Sequence, residues 1–347
     1  MITETIHDQE VWNNTLKTLP YSHVLQTWEW GEFKRETTGW LPTRLMFKEG
    51  GVTVAMASIL TRRIGPVTMM YIPKGPALCY ENLELARTVL HELKKRARFA
   101  LWLKIDPDVV IGTGIPDTND ETTSPSGVAF RDLLQASGWQ FSNDQVQFRN
   151  TIRIDLTKPE DDILMGMSQN TRRKIRTAEK KGIIIRPATL DDLETLYNLY
   201  QITGERDNFL IRPPQYYEKA WRDFIQQGLA HALIAEFENK PVAHVILFHF
   251  GQTCWYFYGA SSNEERHRMP NYLLQWEAIK WAKSQGYQVY DMWGAPNQFD
   301  ESDSMWGVYQ FKQGFRGITI RTIGAWDYAP YPVLYRAYNT LRRVLHR

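Results

Sequence analysis

Two parts of the sequence repeat the same order of elements, and this internal duplication limits the folds open to the chain. In the first half, a strand ends just after Tyr71, a helical stretch covers residues 83–99 and a further strand ends at Asp106. In the second half, Tyr256 lies in the equivalent strand, a helical stretch of similar length follows and the last strand ends at Asp291. The tyrosine and the aspartate are 35 residues apart in both halves. The pattern predicts two copies of one α/β unit.

A predicted β-hairpin precedes each copy. The first hairpin covers residues 43–60 and turns near Gly50, and the second covers residues 230–249 and turns near Asn239. A hairpin, another strand, a crossover helix and a further strand resemble the GNAT acyltransferase fold. We therefore predict an α/β protein with mixed (α+β) sheets and two tandem GNAT-like domains.

The length of the chain also favours two domains, because 347 residues exceed what one hydrophobic core usually serves. The character of the sequence changes near Asn150, where a strand-like segment leads through Pro159 into a polar helix. We predict GNAT-like domains at residues 1–150 and 151–330, followed by a basic amphipathic helix at residues 331–347.

Composition excludes several classes of protein. Residues 1–12 carry acidic side chains and no apolar run, and no uncharged stretch of about 18 residues occurs elsewhere, so we expect a cytoplasmic, monomeric protein. Cys79 and Cys254 are far apart and have no cluster of histidines beside them, which argues against a metal or redox site. The net charge of +2 is too small for bulk nucleic-acid binding, so basic residues must be judged by local clusters.

The expected coenzyme A site of a GNAT domain is missing. In acetyltransferases of that fold, a glycine-rich turn after the fourth strand presents backbone N–H groups to the pyrophosphate. Residues 260–271 and residues 77–84 occupy the equivalent positions here and contain no glycine. The fold therefore needs another acyl donor, and we expect no cofactor.

Four segments together resemble the Fem family of peptidoglycan-bridge transferases, which are non-ribosomal aminoacyl transferases. The segments are QTWEWGEFK (26–34), NTRRKIRTAEKKG (170–182), FLIRPPQYY (209–217) and YQFKQGF (309–315). No long heptad segment follows Lys181, so the chain resembles the compact type without a helical arm. The resemblance implies transfer of an amino acid from aminoacyl-tRNA to the peptide of UDP-MurNAc-pentapeptide or lipid II. It leaves open which amino acid is added.

The resemblance also implies a site for the precursor. Lys34 and Arg212 would contact its diphosphate, and Tyr216 would add a hydrogen bond. The alternatives are a solvated lysine at position 34 and a salt bridge from Arg212 to Glu205 or Asp207.

Three further tyrosines are candidate precursor contacts by resemblance. Tyr256 and Tyr258 share one face of a strand by the two-residue period, so the sequence does not decide between them. Tyr71 is the first-half counterpart of Tyr256.

Phe311 and Lys312 lie in the segment that the family uses near the reacting centre. Attack of an amine on the aminoacyl ester creates an oxyanion, and a fixed cation beside it lowers the barrier. Lys312 is expected to supply that cation, or to neutralise tRNA phosphates, or to bind a carboxylate between the domains. Asp106 is a candidate general base, although an ordinary aspartate pKa near 4 suits that task poorly; it could equally cap the turn at Pro107.

Two basic segments are candidate contacts for anionic partners. Around residues 170–182, a predicted helix carries four residues that could face tRNA, although such runs are usually solvated: Arg172, Arg173, Lys174 and Arg176. The segment at 331–347 interleaves apolar residues with Arg336, Arg342, Arg343 and Arg347, which favours peripheral contact with an anionic membrane surface.

Rival functions remain open at this point. The chain could be a GNAT-type N-acyltransferase with another donor, a leucyl- or arginyl-type protein transferase, or a binding module that transfers nothing. The Phe311-Lys312 segment argues against the binding module.

Overall fold

The computed structural model describes residues 1–345, with side chains up to Leu341, and divides into two compact units. The first unit contains residues Met1–Arg149 together with the chain from Ile320 on, and the second contains Asn150–Thr319. The second unit therefore ends before residue 330, the boundary predicted from the sequence. The physical reason is that Trp326 in the C-terminal segment pairs with Ile105 of the first unit.

The elements are numbered along the chain. The strands are β1 (Ile2–Thr5), β2 (Leu41–Glu49), β3 (Val52–Ile64), β4 (Val67–Ile72), β5 (Ala77–Leu78), β6 (Trp102–Ile105), β7 (Val110–Thr113), β8 (Thr122–Thr123), β9 (Gln140–Phe141), β10 (Asn150–Asp155), β11 (Ile184–Pro187), β12 (Ala230–Phe237), β13 (Lys240–Phe250), β14 (Thr253–Ser261), β15 (Val289–Asp291), β16 (Ile318–Thr322) and β17 (Trp326–Tyr328). The helices are α1 (Gln9–Thr18), α2 (Trp28–Thr38), α3 (Leu83–Arg96), α4 (Pro125–Ala136), α5 (Glu160–Gly166), α6 (Gln169–Lys180), α7 (Leu193–Asp207), α8 (Pro214–Gln226), α9 (Pro270–Ser284), α10 (Trp306–Gln313) and α11 (Pro332–Leu345).

The first unit is built on one mixed sheet with the strand order β1-β2-β3-β4-β6-β17-β9. Strands β4 and β6 are parallel, and α3 is the crossover between them. Helix α3 begins where the Asn82 side chain accepts the N–H of Leu85, and its apolar residues at helical spacing are buried against the sheet. Two neighbouring parallel strands cannot be joined by a short hairpin loop and need a long crossover connection, which α3 provides between β4 and β6.

The C-terminal segment completes the first sheet. Strand β17 lies between β6 and β9, and its Asp327 Oδ1 is 3.1 Å from the ammonium of Lys104. Both side chains are buried, and the Tyr335 hydroxyl of α11 donates to Asp327 Oδ2 at 2.6 Å. A buried charge without its partner is costly, so this ion pair ties the end of the chain to the first unit.

The second unit repeats the pattern in the strand order β11-β12-β13-β14-β15-β10. Strands β14 and β15 are parallel with α9 as the crossover, as β4, α3 and β6 are in the first unit. Both predicted hairpins are confirmed, and both turn through two residues with positive φ: Gly50 and Gly51, and Glu238 and Asn239. Such turns match the twist of the flanking strands.

A β-bulge interrupts β14. Leu247 faces Tyr256 and Ile246 faces Tyr258, so Phe257 is an extra residue in the strand. The bulge breaks the strict two-residue alternation. The expectation that Tyr256 and Tyr258 share one face on that period is therefore wrong.

Candidate active site

The second unit contains a cavity of about 1020 Å³. The end of β14, the segment leading into α9, and helices α7 and α10 form its walls. The parallel ladder of β14 and β15 ends at the Trp255–Asp291 pair, and the part of β14 beyond it contributes Tyr256 and residues 259–261 to the cavity wall. The size is that of a site for a small ligand or for the end of a larger one.

Aromatic side chains line one side of this cavity. Tyr256 lies against Gly259 so closely that a Cβ added there would meet the tyrosine oxygen at 1.8 Å, which requires glycine at this position. Burial raises the pKa of Tyr256 to about 12, so its phenol keeps its proton at neutral pH. Phe311 and Tyr272 also line the cavity and pack edge to face, with ring centres 5.0 Å apart.

The cavity is basic. Its charged lining residues other than histidine are Lys174, Arg206 and Arg266 against a single acid, Asp207. The Lys174 ammonium donates to the Tyr272 hydroxyl at 2.7 Å, and Arg206 donates to the carbonyl of Ser261 at 2.9 Å. Because Arg206 also pairs with Asp207, the net positive charge of the lining comes from Lys174 and Arg266, which would attract a phosphate group.

Lys312 is buried next to this cavity, with 3% of its surface exposed. Its ammonium donates to the carbonyl oxygens of Trp293 at 2.6 Å and Gly294 at 2.8 Å, and lies 5.8 Å from the centre of the Tyr256 ring. Burial lowers the pKa of Lys312 to about 7, and the charge of Asp291 opposes this shift. Lys312 is therefore bound by backbone carbonyls and does not form the carboxylate ion pair considered from the sequence.

Arg212 is exposed at the start of α8. Its guanidinium lies 4.7 Å from the centre of the Tyr216 ring, and its backbone N–H donates to the Tyr217 hydroxyl. The acids proposed as alternative partners are engaged elsewhere: Glu205 accepts from Gln201, and Asp207 pairs with Arg206. The guanidinium is thus positioned on an aromatic face, with its donors available to an anion.

Tyr258 has different surroundings from Tyr256. Its ring packs edge-on against Tyr200 and Tyr217 and lies 5.8 Å from the ring of Trp221. Burial raises the pKa of Tyr258 well above its usual value. Of the two tyrosines, only Tyr256 lines the cavity.

Lys34 lies in the first unit on α2. Its side chain is half-buried, with the ammonium 4.7 Å from the centre of the Trp30 ring and 5.3 Å from that of Phe33. Both rings are buried. The charged group therefore lies at the surface end of an aromatic face.

Asp106 and Tyr71 form a buried pair in the first unit. The Tyr71 hydroxyl donates to Asp106 Oδ2 at 2.6 Å, and the Lys74 backbone N–H donates to Oδ1 at 2.5 Å. Burial raises the pKa of Asp106 to about 6 despite these contacts. The carboxylate thus joins the ends of β4 and β6 instead of capping the turn at Pro107, and both its oxygens are engaged.

Comparison with known proteins assigns the chain to a family. The sequence profile of the FemAB family matches residues 7–240 and residues 226–343, which together cover nearly all of the sequence. The chain belongs to the FemAB family.

Relatives of this FemAB-family protein include the lipid II:glycine glycyltransferases of Staphylococcus haemolyticus and Staphylococcus aureus. Each is 26% identical, over 96% of this chain and 93% of the relative. A crystal structure of FemX superposes with a TM-score of 0.85, at 24% identity over 97% of this chain and 99% of that one. A tandem GNAT protein of clavulanic acid biosynthesis gives 0.56 at 9% identity, over 95% and 98% of the two chains. The predicted fold of two GNAT-like units is confirmed.

The FemAB-family chain is compact. Its alignment with the first relative spans 403 positions, more than its own 347 residues, so that relative carries residues that this chain lacks. All residues from 150 to 319 are described, and the longest helices among them, α7 and α9, have 15 residues each. The second unit thus has no long helical arm.

Helix α6 brings only one of its four candidate cations to the cavity. Arg172 donates to the carbonyls of Met165 and Met167, and Arg173 donates to Asn170. Arg176 is exposed, and Lys174 lines the cavity.

Among the described residues, no group of three metal-ligating side chains occurs.

The role of the turn after β15 was not predicted from the sequence. The sequence indicates Asp291 only as the end of a strand, but this residue is buried and accepts the N–H of Trp293 at 2.9 Å. The 35-residue repeat marks Asp291 as the counterpart of Asp106, but the two carboxylates hold different turns: Asp106 accepts a backbone N–H from Lys74, which follows β4, whereas Asp291 accepts one from the turn after its own strand.

Proposed function

We propose that this FemAB-family protein is an aminoacyltransferase that moves an amino acid from aminoacyl-tRNA to the peptide of a lipid-linked peptidoglycan precursor. The observation that carries the proposal is a basic, aromatic cavity with a buried lysine beside it. The relatives named as lipid II:glycine glycyltransferases support a peptidoglycan acceptor and make glycyl-tRNA the first donor to test.

The cavity suits the terminal nucleotide of a tRNA. Its cations would neutralise phosphate, and its rings offer a stacking face to a base. It suits a coenzyme A pyrophosphate less well, because α9 begins with Pro270, which has no N–H, after a segment without glycine. These features favour an RNA-borne acyl donor.

The reaction follows from the chemistry of the ester. The precursor amine attacks the ester carbonyl and forms the new C–N bond. The resulting oxyanion then collapses, which breaks the C–O bond to the ribose. In the course of the reaction the amine loses a proton and the ribose oxygen gains one. The ammonium of Lys312, whose pKa burial lowers to about 7, would stabilise the oxyanion as negative charge develops. Arg212 and Lys34 would bind the precursor diphosphate.

The proposed activity can be tested with purified protein. We expect transfer from charged tRNA to a lipid-linked precursor, no transfer after ribonuclease treatment of the donor, and no requirement for acetyl-CoA. The product is measured by mass spectrometry, with UDP-MurNAc-pentapeptide as the second acceptor arm. An undiminished rate after ribonuclease treatment would contradict the proposal, and transfer only to the nucleotide precursor would overturn the choice of acceptor.

We further propose that α11 contacts the anionic membrane surface where such a precursor resides. The helix packs inward through Tyr335 and Tyr338, while Val333, Leu334 and Leu341 are 78%, 59% and 59% exposed. Residues 331–347 contain four arginines and no acid. The side chains of Arg342 and Arg343 and all of Arg347 lie outside the described part of the chain. No helix in the described part is long and apolar enough to cross a membrane.

Replacing both Leu334 and Leu341 by aspartate is expected to weaken binding to phosphatidylglycerol-containing vesicles by more than about 10-fold. The change removes apolar area from the interface and adds two charges of the repelled sign. Binding is measured by co-sedimentation, and Leu41→Asp, at a similarly exposed leucine, is the matched control. Equal binding of the double variant and the control would exclude α11 as the membrane contact.

A further inference from the structure

The turn that holds Lys312 is conformationally strained. Trp293 has φ +49° and Gly294 has φ +90°, both in the left-handed region. This conformation is unfavourable for a tryptophan, so other contacts must hold it. Its result is that two successive carbonyl oxygens point at one ammonium.

Asp291 provides the central contact. It is 1% exposed, and its Oδ1 accepts the Trp293 N–H at 2.9 Å and the Thr151 hydroxyl at 2.5 Å. Its Oδ2 accepts Arg153 Nε at 2.9 Å. A carboxylate with three donors is fixed in orientation, and it holds the strained residue through the backbone.

Neighbouring contacts make the turn rigid. The N–H groups of Met292 and Ala295 donate to carbonyls of β10 at 2.8 and 2.7 Å. The Trp293 ring stacks on Phe257, the bulge residue of β14, with centres 4.3 Å apart. The turn is thus attached to both β10 and β14, and α10 brings Lys312 to it.

We propose that Asp291 is a positioning residue for Lys312: it fixes the Trp293–Gly294 turn so that two backbone carbonyls hold the ammonium. The inference rests on the proposed function for the role of Lys312 in transfer. Asp291 acts through Lys312 and does not touch the substrate.

The charged and titratable groups around Lys312 determine the direction in which each substitution should shift its pKa. Asp291 favours the ammonium, Arg153 beyond it opposes the ammonium by neutralising Asp291, and the Tyr256 phenol is neutral at pH 7. Removing Asp291's charge should therefore lower the pKa of Lys312, and removing Arg153's charge should raise it.

The test compares Asp291→Asn with Arg153→Met. Asparagine keeps the shape and one acceptor for the Trp293 N–H, and Arg153 is partly exposed, which limits the effect of its loss on folding. We expect the pKa of Lys312 to fall by about one unit in the first variant and to rise in the second. Asp155→Asn, on the same strand, should leave it unchanged because the exposed Asp155 carboxylate accepts from the N–H and the hydroxyl of Thr157.

The pKa is measured by nuclear magnetic resonance on isotope-labelled lysine, with the Lys312 signal assigned by its loss in Lys312→Met. This readout needs no substrate, so failure of transfer in the wild type would refute the proposed function and leave the pKa result standing. In active protein, Asp291→Asn should lower kcat about 9-fold at pH 8 and about 2-fold at pH 6, because a one-unit fall from a pKa of about 7 removes more of the ammonium at the higher pH. The proposal would be overturned if the pKa of Lys312 were unchanged in folded Asp291→Asn, or if it did not rise in Arg153→Met.

Discussion

Replacing Lys312 by methionine is expected to lower kcat by about 10²- to 10³-fold while leaving precursor affinity within a factor of about two, because the charge acts on the oxyanion and not on the bound precursor. Methionine keeps much of the stem volume. The wild-type rate should fall as pH rises through the Lys312 pKa of about 7, since deprotonation removes the cation. The variant should not show this fall in its pH–rate profile. Measurements of kcat, KM and pH dependence check the expectation.

Folding must be measured on the same preparations. The variant leaves the carbonyls of Trp293 and Gly294 without their donor, which costs stability, but it also removes a buried charge. Lys283→Met is the matched control, because Lys283 also donates to a backbone carbonyl, that of Leu156. If Lys312→Met lowered Tm and affected KM and kcat alike, Lys312 would be structural; wild-type turnover would remove it from the mechanism.

Arg212→Ala is expected to weaken precursor binding by about 10- to 100-fold, which corresponds to loss of one charge-assisted contact with a diphosphate. Because Arg212 is exposed and pairs with no acid in the described residues, Tm should be unchanged. Lys34→Ala should have a smaller effect of the same kind, since an ammonium makes a single-point contact.

Calorimetry with UDP-MurNAc-pentapeptide at two ionic strengths measures this effect. Salt screens the charged contacts of the wild type, so its affinity should fall more with ionic strength than that of Arg212→Ala. Arg222→Ala, at an exposed arginine within α8, is the control for charge loss alone. Unchanged affinity in both Arg212→Ala and Lys34→Ala would refute the diphosphate site.

Local patterns allowed much of the fold to be predicted. The hairpins at Gly50 and Asn239 depend on turn residues that tolerate positive φ, and the crossover helices depend on apolar spacing. The equal separation of Tyr71 from Asp106 and of Tyr256 from Asp291 indicated the duplication because each unit uses the same strand, helix and strand.

The remainder depends on contacts between distant parts of the chain. Nothing near Phe257 in the sequence marks a bulge, because the register shift is set by the partner strand β13. The raised pKa of Asp106 follows from complete burial, and the carbonyl partners of Lys312 come from a strained turn; neither is encoded by short-range spacing. The role of Lys312 in catalysis was inferred by resemblance and stays a prediction.

The position of β17 has a consequence for synthesis on the ribosome. The first sheet lacks the strand between β6 and β9, and Lys104 lacks its buried partner, until residues 326–328 have left the exit tunnel. The strands of the second unit from β10 to β15 are all translated before that point. Although domains usually fold from the N-terminus during translation, the nascent chain can complete the sheet strands β10 to β15 of the second unit before residues 326–328 complete the sheet of the first unit.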